Sequence, residues 1–192
     1  MRVFISGGVK NGKSYYAQRL AKKQEARPLY YIATMKPADG EDYERIARHK
    51  LEREGWGFIT IEQDRKIAEI LDKCDTGGSF LLDSLTALLA NEMFRQDGSV
   101  DTGAAERVEK ELTRVIGSIA NIVIVSDYIY SDANVFDPFT EKYRESLAKL
   151  DRAAAISCDT VLEVTFSNVI VHKNEFGMRN SEFGIIDGGE VC

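Results

Sequence analysis

Short runs of apolar residues alternate along this chain with longer segments in which apolar residues recur every three or four positions. The short runs are typical of buried strands, and the longer segments are typical of helices with one apolar face. The runs predict strands at Val3–Ser6, Leu29–Thr34, Phe58–Ile61, Ser79–Leu82 and Ile122–Val125. The periodic segments predict helices at Ser14–Ala26, Glu41–Glu54, Arg65–Lys73, Leu85–Phe94, Ala104–Ile119 and Thr140–Ile156.

The order of these elements predicts an α/β fold with a mainly parallel sheet flanked by helices. Parallel strands need a crossover connection, usually a helix, and strands and helices alternate here over most of the chain. The run Ile122–Val125 is apolar at every position, as expected for a strand that is covered on both faces. Two further runs, Val161–Phe166 and Val169–His172, predict an antiparallel hairpin near the C-terminal end.

The length of 192 residues predicts a single domain over residues 1–192. With three prolines, the sequence has no proline-rich linker, and its glycine-rich tail Gly177–Cys192 is expected to be flexible. No apolar run approaches the roughly 18 residues of a membrane helix. The segment before Gly7 is too short for a signal peptide, so we expect a cytoplasmic protein without membrane insertion.

The net charge of −6 argues against ligands that bind through a general positive charge of the protein. An acidic chain has no general attraction for nucleic acid or anionic membranes, so any phosphate must be held by a local arrangement of residues. Three widely spaced cysteines and two histidines argue against a disulfide framework or a structural zinc site.

One segment provides such a local arrangement. It matches the P-loop pattern G-x-x-x-x-G-K-[ST], follows a predicted strand and precedes a predicted helix. Its glycines let backbone N–H groups converge on a phosphate, and the free N–H groups of the helix face the same anion. In this motif the lysine reaches the β- and γ-phosphates, and the final hydroxyl binds Mg²⁺. The residues are Gly7, Gly8, Val9, Lys10, Asn11, Gly12, Lys13 and Ser14.

Two aspartates stand after apolar runs, where a P-loop site needs a carboxylate for Mg²⁺. Asp83 directly follows Phe80–Leu82, whereas Asp127 follows Val123–Val125 with one serine between. We favour Asp83 because its apolar run leads straight into the acid. The alternative for both residues is an aspartate that caps the next helix.

The predicted helix Glu41–Glu54 carries a second candidate for chemistry. Arg45, His49 and Arg53 are spaced by four and therefore share one helical face. Flanking guanidinium groups favour a neutral imidazole, which is a nucleophile, and they can hold the phosphate that it attacks. The alternative is a solvated basic stripe that happens to contain a histidine.

Four segments, in this order, resemble the bifunctional adenosylcobinamide kinase/adenosylcobinamide-phosphate guanylyltransferases of cobalamin biosynthesis. Together they span about the first half of the chain, and the combination is more specific than the P-loop alone. The segments are GGVKNGKS at 7–14, YYIAT at 30–34, RIARHKLEREGW at 45–56 and FLLDSLTALLANE at 80–92.

This resemblance implies a P-loop NTPase-like fold and two reactions. The first is phosphorylation of the aminopropanol hydroxyl of adenosylcobinamide by ATP or GTP. The second is transfer of GMP from GTP to that phosphate, with release of pyrophosphate, through a guanylylated histidine at the position of His49. The resemblance implies a homotrimer, and it makes Lys13 catalytic beside His49. It also implies Mg²⁺ near Ser14 and Asp83, and nucleotide contacts from Thr34, Arg45, Arg53, Glu62 and Asp83 in addition to the P-loop.

The second half of the chain departs from this family pattern. After the strand that ends at Val125, the family shows Asn-Glu-Val-Gly, whereas this chain reads Ser126-Asp127-Tyr128-Ile129. Two alternatives therefore stay open. One is a P-loop kinase of another small alcohol without a covalent step, and the other is a nucleotide-sensing switch without chemistry.

Overall fold

In a computed structural model of the protein, the described residues are 1–131, 133–166, 168–175 and 177. Seven strands form one sheet, and their bounds are β1 Arg2–Gly7, β2 Leu29–Ala33, β3 Phe58–Glu62, β4 Ser79–Asp83, β5 Asn121–Asp127, β6 Thr160–Thr165 and β7 Asn168–Asn174. The helices are α1 Lys13–Lys23, α2 Gly40–Glu52, α3 Ile70–Lys73, α4 Leu85–Met93, α5 Ala104–Ser118 and α6 Pro138–Ser157.

The strand order across the sheet is β3-β2-β4-β5-β1-β6-β7. Strands β1 to β6 pair in parallel, and β7 pairs antiparallel with β6. The predicted mainly parallel sheet and the predicted C-terminal hairpin are therefore confirmed. Because β1 lies between β5 and β6, the segment that follows β1 is next to the carboxyl ends of those two strands, and the carboxyl end of β4 is one strand further away.

The core lies on both faces of this sheet. In β5, Ile122 and Ile124 pack into a cluster with Phe80 on one face. Val123 and Val125 pack against α1 residues such as Leu20 on the other face. Alternate residues of a strand point to opposite faces, so a central strand that is covered twice must be apolar at every position. The sequence pattern of this strand thus has a direct cause.

Several predicted helix bounds differ from the structure. The segment predicted as one helix over Arg65–Lys73 is a 3₁₀ turn, Ile67–Glu69, followed by the short α3. Helix α6 begins earlier than predicted, because the Asp137 carboxylate accepts hydrogen bonds from the backbone N–H groups of Phe139 and Thr140, at 2.9 and 3.2 Å. Such a cap satisfies N–H groups that have no partner within the helix.

The glycine-rich tail, which the sequence predicts to be flexible, lies outside the described residues except for Gly177. Among the described residues, no helix is both long and apolar enough to cross a membrane.

Candidate active site

The P-loop connects β1 to α1, as the motif predicts. Gly12 has a φ of 88°, a left-handed backbone conformation that glycine adopts without steric cost, and α1 begins at the next residue. The Asn11 side chain ties the loop down: its amide donates to the Val164 carbonyl, and its oxygen accepts from the backbone N–H of Lys13 at 3.2 Å. Val9 and Lys10 are exposed at the loop tip. The free N–H groups of α1 therefore face a preformed anion site.

Lys13 lies inside this loop with its charge already paired. Its side chain is 5% exposed, and its ammonium group forms an ion pair with Asp127 and donates to the Gly8 carbonyl at 2.9 Å. The register of β1 and β5 sets Gly7 opposite Asp127, which explains the contact. A buried charge needs such a partner. A phosphate bound in the loop therefore has to compete with Asp127 for Lys13.

Asp83 lies on the other side of the P-loop, at the end of β4. Its Oδ1 is 3.5 Å from the Ser14 hydroxyl, and its Oδ2 accepts a hydrogen bond from the Tyr31 hydroxyl at 2.8 Å. The two strand-end aspartates thus have different neighbours, since Asp127 pairs with Lys13 and Asp83 faces Ser14. This geometry places the favoured residue, Asp83, beside the hydroxyl that the motif assigns to Mg²⁺.

The oxygen atoms of Ser14 and Asp83 fit Mg²⁺, which prefers oxygen ligands. Within the described ranges, no group of three or more His, Cys, Asp or Glu residues could hold a metal ion. Mg²⁺ is commonly bound by one or two carboxylates together with the phosphates of a substrate. The donor set therefore suits a magnesium ion that binds with a nucleotide.

The histidine of α2 is oriented by its own helix. The Asp39 carboxylate caps α2 by accepting from the Asp42 N–H at 3.0 Å. Further along, His49 Nδ1 lies 3.1 Å from Glu52 Oε2. A carboxylate only accepts hydrogen bonds, so this contact assigns the proton of a neutral ring to Nδ1. The lone pair of Nε2 is then available for nucleophilic attack.

Arg53, directly after α2, is buried, and its guanidinium is held by neighbouring side chains. It is 7% exposed, and its guanidinium lies 3.9 Å from the centre of the Tyr31 ring. It also donates to the Thr60 hydroxyl at 3.4 Å. The backbone of Arg45 belongs to α2, but its side chain lies outside the described part of the structure. Of the two predicted arginines, Arg53 is the one whose side chain the structure describes at the site.

A cavity of about 810 Å³ lies between the histidine helix and the two aspartates beside the P-loop, and none of the described P-loop residues lines it. Helix α2 and the ends of β2 and β3 form one wall, and the start of α4 forms another. The sequence-predicted residues that line it are His49, Arg53, Glu62, Asp83 and Asp127. The histidine helix and the acids beside the P-loop thus open onto the same space.

Thr34 has a different environment from the one expected of a nucleotide contact. It is fully buried, and its hydroxyl donates to the Ser84 carbonyl and accepts from the Ser84 N–H, both at 2.7 Å. With these bonds made, the hydroxyl fixes the turn between β4 and α4. Its effect on the site is therefore to hold the segment that carries Asp83.

Two tyrosines of the site were not singled out by sequence reasoning. Tyr31 contacts both Asp83 and Arg53, and Tyr143 of α6 lines the cavity while donating to the Thr86 carbonyl at 2.9 Å. Burial raises the pKa of the Tyr143 phenol. Tyrosines are usually packing residues, so only their place relative to the acids distinguishes these two.

Asp151, beneath the end of β5, is a buried acid close to this site. It is 4% exposed, and its Oδ2 accepts from the Tyr130 hydroxyl at 2.8 Å. Burial raises the pKa of Asp151 to about 6, hydrogen bonds from Ser126 and Tyr130 oppose the rise, and the negative charge of Asp127 adds to it.

The raised pKa predicts how stability depends on pH. Between the ordinary pKa of an aspartate and the folded value of about 6, the folded state holds more protons, so stability falls as pH rises. Relative to Asp151→Asn, the free energy of unfolding should fall by about 2 kcal/mol from pH 4 to pH 7. Urea denaturation of both proteins at the two pH values measures this difference. Parallel pH responses would contradict the assignment.

Two of the solved structures that are similar to this chain share little of its sequence. The flagellar accessory protein FlaH from Methanocaldococcus jannaschii is 14% identical, with 90% of this chain and 77% of that chain covered and a TM-score of 0.49. A structure from Pyrococcus horikoshii OT3 is also 14% identical, with 100% and 91% covered and a TM-score of 0.48.

Sequence similarity is more informative. The bifunctional adenosylcobalamin biosynthesis protein CobP of Pseudomonas aeruginosa is 31% identical over 162 residues, which cover 84% of this chain and 91% of that protein. The family described as cobinamide kinase / cobinamide phosphate guanyltransferase matches residues 3–170. This match extends beyond the segments that carry the resemblance and includes the divergent part after Val125. The chain therefore belongs to the cobinamide kinase / cobinamide phosphate guanyltransferase family.

Proposed function

We propose that this protein phosphorylates adenosylcobinamide and then transfers GMP from GTP to the resulting phosphate, through a guanylylated His49. The observation that carries the proposal is the shared cavity, which is lined by His49 on one side and by Asp83 and Asp127, beside the P-loop, on the other. Family membership supports the two reactions. A shared cavity allows both to occur on one acceptor.

In the first reaction, the acceptor hydroxyl attacks the γ-phosphorus of ATP or GTP, and the bond to the nucleoside diphosphate breaks. The chain contributes mainly position and charge. The P-loop N–H groups hold the phosphates, and Lys13 leaves Asp127 to neutralise the transferred group. Asp127, once released, faces the cavity and can accept the hydroxyl proton. Mg²⁺, when bound near Ser14 and Asp83, supplies further neutralisation of phosphate charge.

In the second reaction, His49 Nε2 attacks the α-phosphorus of GTP, and pyrophosphate leaves. Glu52 holds the proton at Nδ1 and stabilises the positive ring that forms when the N–P bond is made. A phosphate oxygen of the acceptor then attacks the same phosphorus. The N–P bond breaks, the neutral imidazole is restored, and a diphosphate joins the acceptor to guanosine.

Product analysis tests the proposal directly. We expect the protein with adenosylcobinamide and Mg²⁺·ATP to form adenosylcobinamide phosphate, and addition of GTP to give the GDP derivative and pyrophosphate in equal amounts. Mass spectrometry identifies both corrinoids. Cobyric acid, which lacks the aminopropanol hydroxyl, is the control substrate and should give no product.

Other results of the product analysis would favour one of the two alternative functions. Phosphorylation without GMP transfer would favour a kinase that has no covalent step. Tight nucleotide binding with no product would favour the nucleotide-sensing switch. The proposal also includes a cytoplasmic location and a homotrimer, of which the family resemblance implies the homotrimer. Light scattering on the purified protein measures the number of subunits.

A further inference from the structure

Tyr31 of β2 contacts both halves of the proposed site. Its hydroxyl donates to Asp83, and its ring lies under the guanidinium of Arg53. The side chain is itself held in place, because it is buried and its ring packs edge-on against Phe58, with ring centres 6.0 Å apart and an interplanar angle of 89°. A residue fixed in this way can position both of its neighbours.

The hydroxyl of Tyr31 determines which oxygen of Asp83 faces the P-loop. Oδ2 is engaged by Tyr31 at 2.8 Å, so Oδ1 is the oxygen directed at Ser14. Without the phenol, the carboxylate can rotate and present either oxygen in several orientations. Partners that fix a metal-binding carboxylate in this manner commonly change metal affinity by about 10–100-fold when they are lost.

The ring of Tyr31 acts on the other half of the site. None of the described side chains of α2 is fully buried, so the body of this helix has few anchors in the core. Arg53, one residue past the helix end, is buried, and its stacking on Tyr31 ties the end of α2 to β2. His49 lies four residues earlier, one helical turn away. The ring thereby limits how far the histidine can move from the acids.

From these contacts we infer that Tyr31 is a positioning residue that couples the metal side of the nucleotide site to the histidine helix. Its hydroxyl orients the carboxylate of Asp83, and its ring holds the guanidinium of Arg53. The inference rests on the proposed nucleotide site. It is independent of which acceptor is used and of whether His49 becomes guanylylated.

The test separates the hydroxyl from the ring. Tyr31→Phe keeps the ring and removes the hydrogen bond to Asp83. Tyr30→Phe is the matched control, because it is the adjacent residue and loses a hydroxyl that accepts from the Asp75 N–H on the other face of the sheet, at 3.2 Å. Mn²⁺ is the probe, and electron paramagnetic resonance measures its binding in the presence of β,γ-imido-ATP.

We expect Tyr31→Phe to raise the Kd of Mn²⁺ by about tenfold or more, with the Kd of the metal-free nucleotide unchanged. Tyr30→Phe should leave both constants unchanged. Tyr31→Leu, which also removes the ring, should in addition speed amide exchange in α2, whereas Tyr31→Phe should not. An unchanged Mn²⁺ affinity in Tyr31→Phe, or an equal loss in Tyr30→Phe, would overturn the inference. Because β,γ-imido-ATP binding needs neither corrinoid nor His49, a failure of the proposed function would not be mistaken for this result.

Discussion

Replacing His49 by alanine is expected to abolish labelling of the protein by GTP that carries ³²P at its α-phosphate. The imidazole is the proposed nucleophile, and no other group in this position can form the N–P bond. Loss of a catalytic nucleophile lowers rates by more than about a thousandfold. Label retained after denaturation, labile in acid and stable in alkali, measures the covalent intermediate. Nucleotide binding should persist, because the P-loop is untouched.

The chain offers a matched control for this experiment. The only other histidine in the sequence, His172 of β7, is 52% exposed, and its Nε2 lies 2.8 Å from Glu163. It therefore has an acidic partner like His49, but it lies in the edge strand opposite β3, the strand that follows α2. His172→Ala should label as fully as the unmodified protein. Equal labelling of His49→Ala would rule out the covalent route.

The strand and helix pattern predicted most of the fold, because local spacing reports which faces are buried. The P-loop was predictable for a related reason: its eight residues are contiguous and act largely through the backbone. His49 also lies in a contiguous motif. Its orienting partner Glu52 is three residues away on the same helix, a spacing that brings helical side chains into contact.

The roles of the two strand-end aspartates show what a sequence cannot supply. Both Asp83 and Asp127 follow apolar runs, so both were candidates. Strand order decides which aspartate contacts which P-loop residue. Strand β5 lies directly beside β1 and brings Asp127 to Lys13. Asp83 is one strand further away and meets Ser14 and Tyr31 instead. Strand order is a property of the whole sheet, which no local pattern encodes.

For Thr34 and Tyr31, too, the sequence alone does not indicate the role of the side chain. Thr34 lies in a family motif, but its hydroxyl bonds the backbone of Ser84, fifty positions away in sequence. Tyr31 looks like a packing residue beside Tyr30. Because strand neighbours point to opposite faces, only one of this pair can reach Asp83. Knowing which one requires the register of β2 with β4, in which Ala33 is opposite Asp83.

Replacing Lys13 by alanine is expected to weaken ATP and GTP binding by about tenfold to a hundredfold, since a hydrogen bond to a charged group contributes roughly 1.5–3 kcal/mol. Both proposed reactions should slow further, because the charge that develops on the phosphates is no longer neutralised. Isothermal titration with each nucleotide measures the binding loss. Lys10→Ala is the control, since Lys10 is exposed in the same loop and pairs with Glu41 at 3.3 Å.

The partner of Lys13 allows a sharper form of this test. In Lys13→Ala, the carboxylate of Asp127 stays beside the loop without its cation, so it repels the incoming phosphates. The double variant Lys13→Ala/Asp127→Asn removes that repulsion. It should therefore recover part of the binding but none of the phosphoryl transfer, because it lacks both the cation and the proposed proton acceptor. Full loss in both variants would mean that Lys13 acts through its own charge alone, and an equal loss in Lys10→Ala would contradict a specific role for Lys13.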